Sequence, residues 1–306
     1  MRIVVTGASG FVGRALVQRL AGAGHQVVAL AREMTAGRVF PDGVDVVICG
    51  DLTRFSGWAQ ALADADAVVH LAAIAHRSFH DEQRMRAVNC VAARNAAQAA
   101  AVAKVRLVFV SSAKVLGEET SAHPFGTDDL PAPPDPYARA KADAESALRE
   151  IVGLDYVVLR PPLVYGPGVK ANFLSLMRAV ARGFPLPLAN IENVRSMIYV
   201  GNLADAVALC AESPAAAGKT YLVADGAALS TPQLCRALGA ALGRPARLFS
   251  MPLALLDLVG GDRARRLTRS LEVDDRAIRS ELGWRPPFTF EQGLRATADW
   301  YLAQGR

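Results

Sequence analysis

Through the first half of the chain, short apolar runs alternate with longer stretches whose apolar positions recur every three to four residues. The runs Ile3–Thr6, Gln26–Leu30, Val44–Cys49, Ala67–Leu71, Arg106–Ser111 and Tyr156–Leu159 predict strands. Several are apolar throughout rather than alternating, as expected of parallel strands covered on both faces. The stretches near Gly10–Ala23, Trp58–Ala63, Arg84–Ala103 and Tyr137–Val152 predict helices. This β–α rhythm predicts an α/β fold built on a doubly wound parallel sheet.

After Arg160 the texture changes. Pro161, Pro162, Pro167, Pro185 and Pro187 interrupt it, with a helical piece at Asn172–Ala181 between them. Gly201–Glu212 then predicts a helix and Thr220–Val223 a strand returning to the sheet. From about Ala228 the pattern is that of a smaller helical lobe, with a short strand near Phe288–Phe290. The expected division is therefore discontinuous: residues 1–165 plus about 192–227 in the sheet domain, and about 166–191 plus 228–306 in a second lobe. No internal repeat is visible, and the alanine enrichment at Asn95–Ala103 is simply good helix former.

Composition narrows the class. The chain has 306 residues, enough for one large domain or two modest ones with real cores; it is 52% hydrophobic and 21% charged, as a globular protein is. No secretory pattern opens the chain and no apolar run is long enough for a membrane span, so a cytoplasmic protein is expected. Cys49, Cys90, Cys210 and Cys235 are scattered, without the spacing of a disulfide framework or a zinc site, and no metal is expected. The net charge of +5 suits an anionic ligand without identifying one. Basic residues are not interleaved with aromatics, which argues against nucleic acid. The cluster Arg263, Arg265, Arg266 and Arg269 fits phosphate contacts and a solvated helix face equally well.

Thr6-Gly-Ala-Ser-Gly-Phe-Val-Gly13 follows the first strand and opens a helix. Gly7, Gly10 and Gly13 permit a tight turn and close backbone approach, and the helix N-terminus offers free N–H groups to a pyrophosphate. A Rossmann-type dinucleotide site is the reading. The second strand ends in Arg32, where a ribose 2′-phosphate would lie, and Glu33 follows one residue late. Arginine is well shaped for phosphate, so NADP(H) is favoured over NAD(H), although a small loop shift would bring Glu33 to a 2′-hydroxyl. After the third strand, Asp51-Leu52 offers a carboxylate to the adenine amino group, or merely a cap for the next turn.

Tyr137 and Lys141 stand at i and i+4, about one helical turn apart on one face. A lysine ammonium there favours the phenolate and draws the tyrosine pKa down from about 10 towards neutrality. Such a tyrosine can exchange a proton with a carbinol oxygen while a nicotinamide handles the hydride. Ser111-Ser112, at the end of the fifth strand, adds a hydroxyl.

Together these residues resemble the extended short-chain dehydrogenase/reductase family, in its NAD-dependent epimerase/dehydratase branch. The match includes residues 6–13, Asp51-Leu52, His70-Leu-Ala-Ala73, Val88-Asn89, Ser111-Ser112, Tyr137 with Lys141, Arg160-Pro-Pro-Leu-Val-Tyr-Gly-Pro167 and Glu281-Leu-Gly-Trp284. The resemblance implies a cofactor held by Gly7, Gly10, Phe11, Val12, Gly13, Arg32, Asp51, Leu52, Leu71, Ala72, Ala73, Tyr137, Lys141 and Pro162. It also implies a UDP-sugar substrate in the second lobe and a homodimer packed through Arg84–Ala103 and Tyr137–Val152. In its pattern Ser112 bonds the reacting sugar oxygen, Tyr137 is the acid/base, and Lys141 holds the nicotinamide ribose. Asn172 and Arg195 stand where relatives meet the uridine diphosphate; Arg195 also reads as an ordinary surface arginine. His76 and Arg77 fit either the sugar pocket or a polar loop.

The departures matter. Sugar 4,6-dehydratases carry an Asp-Glu pair where this chain has Ala113 and Lys114, so dehydration is not expected. Leu163 replaces an asparagine common in 4-epimerases, their Arg-Arg-Pro-Gly-Asp stretch is absent, and Leu116 replaces the tyrosine usual after the fifth strand. Residues 168–177, Ser270–Asp274 and Leu282–Pro287 are similar to bacterial O-antigen enzymes that reduce a UDP-4-keto-6-deoxy-N-acetylhexosamine at C4. The remaining alternatives are a UDP-hexose 4-epimerase with tightly bound NAD, an NADPH-dependent reductase of small carbonyls, and a non-catalytic NADP sensor.

Overall fold

The computed structural model describes residues 1–33, 40–74, 82–226 and 228–305. Its strands are β1 (Arg2–Thr6), β2 (Gln26–Ala31), β3 (Asp45–Ile48), β4 (Ala67–His70), β5 (Arg106–Val110), β6 (Tyr156–Arg160), β7 (Leu163–Tyr165), β8 (Met197–Tyr199) and β9 (Thr220–Leu222). Seven form one parallel sheet in the order β3-β2-β1-β4-β5-β6-β9. The order turns back at β1, which pairs with β2 on one side and β4 on the other, so Thr6 lies opposite both Leu30 and His70. A crevice at the carboxyl ends of the strands opens at such a reversal.

The helices are α1 (Phe11–Gly22), α2 (Trp58–Ala61), α3 (Glu82–Arg86), α4 (Ala92–Ala103), α5 (Pro136–Arg149), α6 (Ala171–Ala181), α7 (Val200–Glu212), α8 (Thr231–Ala241), α9 (Leu253–Thr268), α10 (Arg276–Leu282) and α11 (Phe290–Leu302). The apolar strands are covered on both faces. Ile3 and Val5 join one core cluster with Leu16, Val17, Leu203 and Val207 of α1 and α7. Val4 joins the other, with Ala93, Ala97, Ala144 and Leu148 of α4 and α5. Five buried alanines line α4, and their small side chains let the helix lie close to the sheet.

The helix expected over Arg84–Ala103 is interrupted by a π-helical turn, Ala87–Val91. The buried Asn89 within it accepts from the Ile74 N–H at 2.7 Å and donates to the Ile74 carbonyl at 3.1 Å. The widened turn thus pins the chain leaving β4.

A separate apolar cluster joins α6, α8 and α11 around Tyr165, Phe173, Met177, Leu238 and Tyr301. Two short strands that the sequence pattern does not reveal, β7 and β8, pair in parallel beside it. Asp225, just past β9, accepts from the Tyr165 hydroxyl (2.7 Å), the Tyr199 N–H (3.0 Å) and the Asn202 amide (2.7 Å). The strand expected at Phe288–Phe290 does not form. Phe288 exchanges two hydrogen bonds with the Asn202 side chain, and Thr289 caps α11 in a reciprocal box with Gln292.

Thr6 and His70 are wholly buried at the ends of β1 and β4. The Thr6 hydroxyl oxygen accepts from the Leu71 and Ala72 N–H groups at 3.2 and 3.4 Å, so its own proton is directed to His70 Nδ1 at 3.1 Å. The imidazole is therefore neutral with its proton on Nε2, which has no hydrogen-bond partner among the described residues. Burial, with the Lys141 cation second, pushes its pKa down to about 3. The unfolded chain then binds a proton below about pH 6.5 that the folded chain refuses, so this stability is complete above that value and lost as pH falls towards 3. Urea unfolding should show a loss of about 2 kcal/mol between about pH 7 and 5 from this group alone. His70→Asn, which keeps an acceptor for Thr6, should flatten that limb; an unchanged pH slope would refute the assignment.

Candidate active site

The turn after β1 is closed by glycine. Gly7 has φ +65°, and a Cβ on it would stand 2.7 Å from the Ala72 nitrogen. A Cβ on Gly13 would stand 2.2 Å from the Gly7 carbonyl oxygen, so neither position tolerates a side chain without backbone movement. Gly10 donates to the same carbonyl at 2.9 Å and begins α1 without a side-chain cap or an acidic residue in the first turn. The first-turn amides, those of Phe11, Val12 and Gly13, are thus left for an anion at the positive end of the helix. This cradle fits a dinucleotide pyrophosphate.

Around it lie the other predicted cofactor residues. Arg32 and Glu33 are both exposed just beyond β2, and Arg32 is near enough to Cys49 at the end of β3 to act on that thiol. Asp51 Oδ1 accepts from the Thr53 N–H (2.9 Å) and hydroxyl (2.8 Å), which hold its carboxyl below the usual range. Asp51 therefore caps its own turn. Leu52 packs into the core beneath, Leu71 and Ala72 are half-buried, Ala73 is exposed, and Pro162 is half-buried after β6.

Ser112, directly beyond β5, is in extended conformation and caps a short 3-10 turn, Ala113–Val115, by accepting from the Lys114 N–H at 3.3 Å. The next amide, Ala113, donates to the Pro161 carbonyl at 2.9 Å, tying this segment to the end of β6. Tyr137 occupies the first turn of α5, which Asp135 caps by accepting from the Ala138 N–H at 2.8 Å. Aspartate before Pro136 is a recognisable helix-start signal. Lys141, one turn on, is 1% exposed; it donates to the Val110 carbonyl at 2.8 Å and lies 4.6 Å from the Phe109 ring centroid.

The expected lowering of the tyrosine does not occur in the protein alone. Burial, then the Asp135 charge, pushes the Tyr137 phenol up to about 12. Burial pulls Lys141 down to about 8, against the opposing pull of Glu145. Desolvation penalises both charged forms, and the i, i+4 spacing brings no compensating fall at the phenol. Glu145 itself is 1% exposed and takes Arg160 of β6 in two hydrogen bonds, at 3.0 and 2.6 Å, and Arg149 in a third at 3.1 Å. Sequence reading missed this carboxylate, although its spacing of four from Lys141 was visible.

Of the predicted substrate residues, Asn172 is exposed at the start of α6. Arg195 is half-buried and donates to the Arg269 carbonyl at 2.8 Å, and its main chain bridges Leu229 and Leu271. His76 and Arg77, and the side chains of Arg263 and Arg266, lie outside the described residues. An open cleft of about 540 Å³ is bordered by Asp129, Glu272, Asp274 and Asp275 against His123 and Arg276, a poor lining for a diphosphate. Among the described residues no group of His, Cys, Asp or Glu gathers as a metal site, and no helix is long and apolar enough to cross a membrane.

Comparison with known proteins gives the family. The model of the NAD dependent epimerase/dehydratase family matches residues 3–224. A UDP-glucose 4-epimerase of Vibrio cholerae is 38% identical over 98% of this chain and 95% of its own length. A 2-alkyl-3-oxoalkanoate reductase of Stenotrophomonas maltophilia is 33% identical over 80% of this chain and 77% of its own length. Among solved structures, MoeE5 in complex with UDP-glucuronic acid and NAD superposes with a TM-score of 0.80 at 26% identity, covering 99% of this chain and 100% of that one. The family model spans most of the sheet, the glycine cradle and the tyrosine–lysine pair, and the chain belongs to the NAD dependent epimerase/dehydratase family, as an NAD(P)-dependent enzyme.

Proposed function

We propose that the protein acts at C4 of a UDP-linked hexose, as a 4-ketoreductase on UDP-4-keto-6-deoxy-N-acetylhexosamine in surface polysaccharide biosynthesis, with NADP(H) preferred. The observation that carries the reading is an arrangement of segments. The glycine cradle lies at the carboxyl end of β1, and Ser112, beyond the carboxyl end of β5, is tied through Lys114 and Asp135 to the helix that carries Tyr137 and the buried Lys141. A tyrosine there is a protonated phenol, the form that carbonyl reduction needs as its donor. The bound cofactor supplies the hydride. Tyr137 donates the proton to the carbonyl oxygen as it becomes an alkoxide, and the Ser112 hydroxyl polarises the same oxygen. Lys141, fixed by the Val110 carbonyl, stabilises the phenolate left behind and orients the nicotinamide ribose. Residue 113 is a buried alanine and Lys114 is paired with Asp135, so neither supplies the acid and base that elimination of water demands.

The same reading assigns Gly7, Gly10, Phe11, Val12, Gly13, Arg32, Asp51, Leu52, Leu71, Ala72, Ala73 and Pro162 to the cofactor. Substrate falls to the second lobe, about 166–191 plus 228–306, where Asn172 lies at the diphosphate together with Arg195 of the adjoining segment. Support for that lobe comes from its separate apolar cluster. The dinucleotide domain comprises 1–165 plus about 192–227, and the assembly is a homodimer through α4 and α5. A second reading, 4-epimerisation of an intact UDP-hexose, is favoured by the 38% identical relative from Vibrio cholerae.

Mixing the protein with UDP-4-keto-6-deoxy-N-acetylglucosamine and NADPH should consume reduced cofactor stoichiometrically. No loss with NADPH or NADH, with interconversion of UDP-hexoses and retained NAD instead, would establish the epimerase. Tyr137→Phe should lower turnover at least about 100-fold while cofactor binding, read by fluorescence titration, is spared. Normal turnover in that variant would overturn the assignment. Arg32→Ala should weaken NADPH by about 10- to 100-fold and leave NADH nearly unchanged; equal losses would remove the case for a 2′-phosphate contact.

A further inference from the structure

One carboxylate joins the two segments that carry the reactive hydroxyls. Asp135 Oδ1 accepts from Ala138 N and so caps α5 two residues before Tyr137. Its Oδ2 lies 2.5 Å from the Lys114 ammonium, and the Lys114 N–H is the donor to Ser112 Oγ. The pair is sheltered, with side chains 28% and 21% exposed. A main-chain bond from Ala132 to Val115, 2.9 Å, closes the loop that brings the two segments together. An exposed ion pair contributes little, but a half-buried one that also serves as a helix cap fixes geometry.

The charged groups around the phenol define the electrostatics. Lys141 and Asp135 lie on its own helix, and Arg139 is turned outward to Glu82 of α3. From the turn after β5 come Lys114 and, 3.8 Å from it, Glu118; from β4 comes the neutral His70. Asp135 is the charge that acts on Tyr137, and it raises the phenol.

We propose that Lys114 is a positioning residue: through Asp135 it locks the Ser112 segment to the first turn of the helix carrying Tyr137, and it offsets the negative field of that carboxylate at the phenol. The inference rests on the reading of Ser112 and Tyr137 as the groups that meet the reacting oxygen. It assigns a task to a residue whose place, two beyond Ser112, gives it none in the proton transfer itself.

Lys114→Met, Lys114→Arg, Asp135→Asn and the double variant Lys114→Met/Asp135→Asn test it, since asparagine keeps a capping acceptor and removes the charge. The first readout needs no substrate. Ultraviolet titration of phenolate in the cofactor-loaded protein, with Tyr137→Phe as blank, isolates Tyr137. Asp135→Asn should lower its midpoint by about one pH unit, Lys114→Met should not lower it, and the double variant should match Asp135→Asn. The second readout is the pH profile of carbonyl reduction. Lys114→Met should lower kcat about tenfold with cofactor KM unchanged, Lys114→Arg should restore most of it, and Asp135→Asn should move the alkaline limb to lower pH. A midpoint unmoved by Asp135→Asn, or full kcat in Lys114→Met, would overturn the proposal. If the wild-type protein turns over no UDP-sugar, the proposed function fails while the phenolate titration still decides the role of the pair.

Discussion

The edge beyond β5 and β6 hangs on a carboxylate withdrawn from water. Glu145 sits two turns beyond Tyr137 on α5 and is gripped by Arg160, the last residue of β6. Such a pair adds little net stability, because desolvating two charges offsets most of their attraction. Its worth is in register. Removing either partner strands a buried charge, at a cost of about 3–5 kcal/mol, so the helix has one permitted position along the sheet. That position places Lys141 over the Val110 carbonyl and Tyr137 at the edge beyond β5. Arg160 also leads directly into Pro161, whose carbonyl holds the Ala113 amide beside Ser112. One end of β6 therefore anchors both the Ser112 segment and the helix that carries Tyr137. One Arg160 nitrogen, Nη1, has no partner among the described residues.

The glycine cradle has a different origin, in the space left by missing side chains. The turn after β1 approaches the turn after β4 so closely that Gly7 and Ala72 meet backbone to backbone. Thr6 sits beneath that contact, its single oxygen serving two amides and its proton serving His70. The apolar strands made the sheet; these few polar atoms at its edge hold the loops apart by a fixed amount.

Much of this was legible along the chain. All seven sheet strands lie within a residue or two of the apolar runs, because strands covered on both faces need uninterrupted hydrophobicity. The tight turn at Gly7–Gly13 and the helix that carries Tyr137 and Lys141 were legible because each obeys a local spacing rule, whereas Ser112 was singled out by the family resemblance. Failures cluster where the deciding contact is distant in sequence. β7 and β8 are three residues each and pair across more than thirty residues. The aromatic run at Phe288–Phe290 reads as a strand, yet Asn202 captures its backbone, and the Thr289–Gln292 capping box was a signal passed over. At Asp51 the turn contact that the sequence suggested is made through Oδ1 by Thr53, two residues away. The Lys114–Asp135 contact spans twenty-one residues and has no local signature at all.

The tyrosine–lysine pair is the instructive miss. Spacing alone predicts attraction, and attraction lowers the phenol pKa. Burial acts on the same pair in the opposite sense, and no helical spacing reports it. With Lys141 drawn down to about 8 and Tyr137 up to about 12, the protein by itself stores its proton on the phenol. The phenol is protonated at neutral pH but a weaker acid than a free tyrosine, because burial and Asp135 both penalise the phenolate. Passing a proton in either direction goes through that phenolate, so either direction requires a positive charge brought against the phenol. At this edge the acidity of Tyr137 is therefore set jointly by burial at α5 and by the charges that come to lie against it.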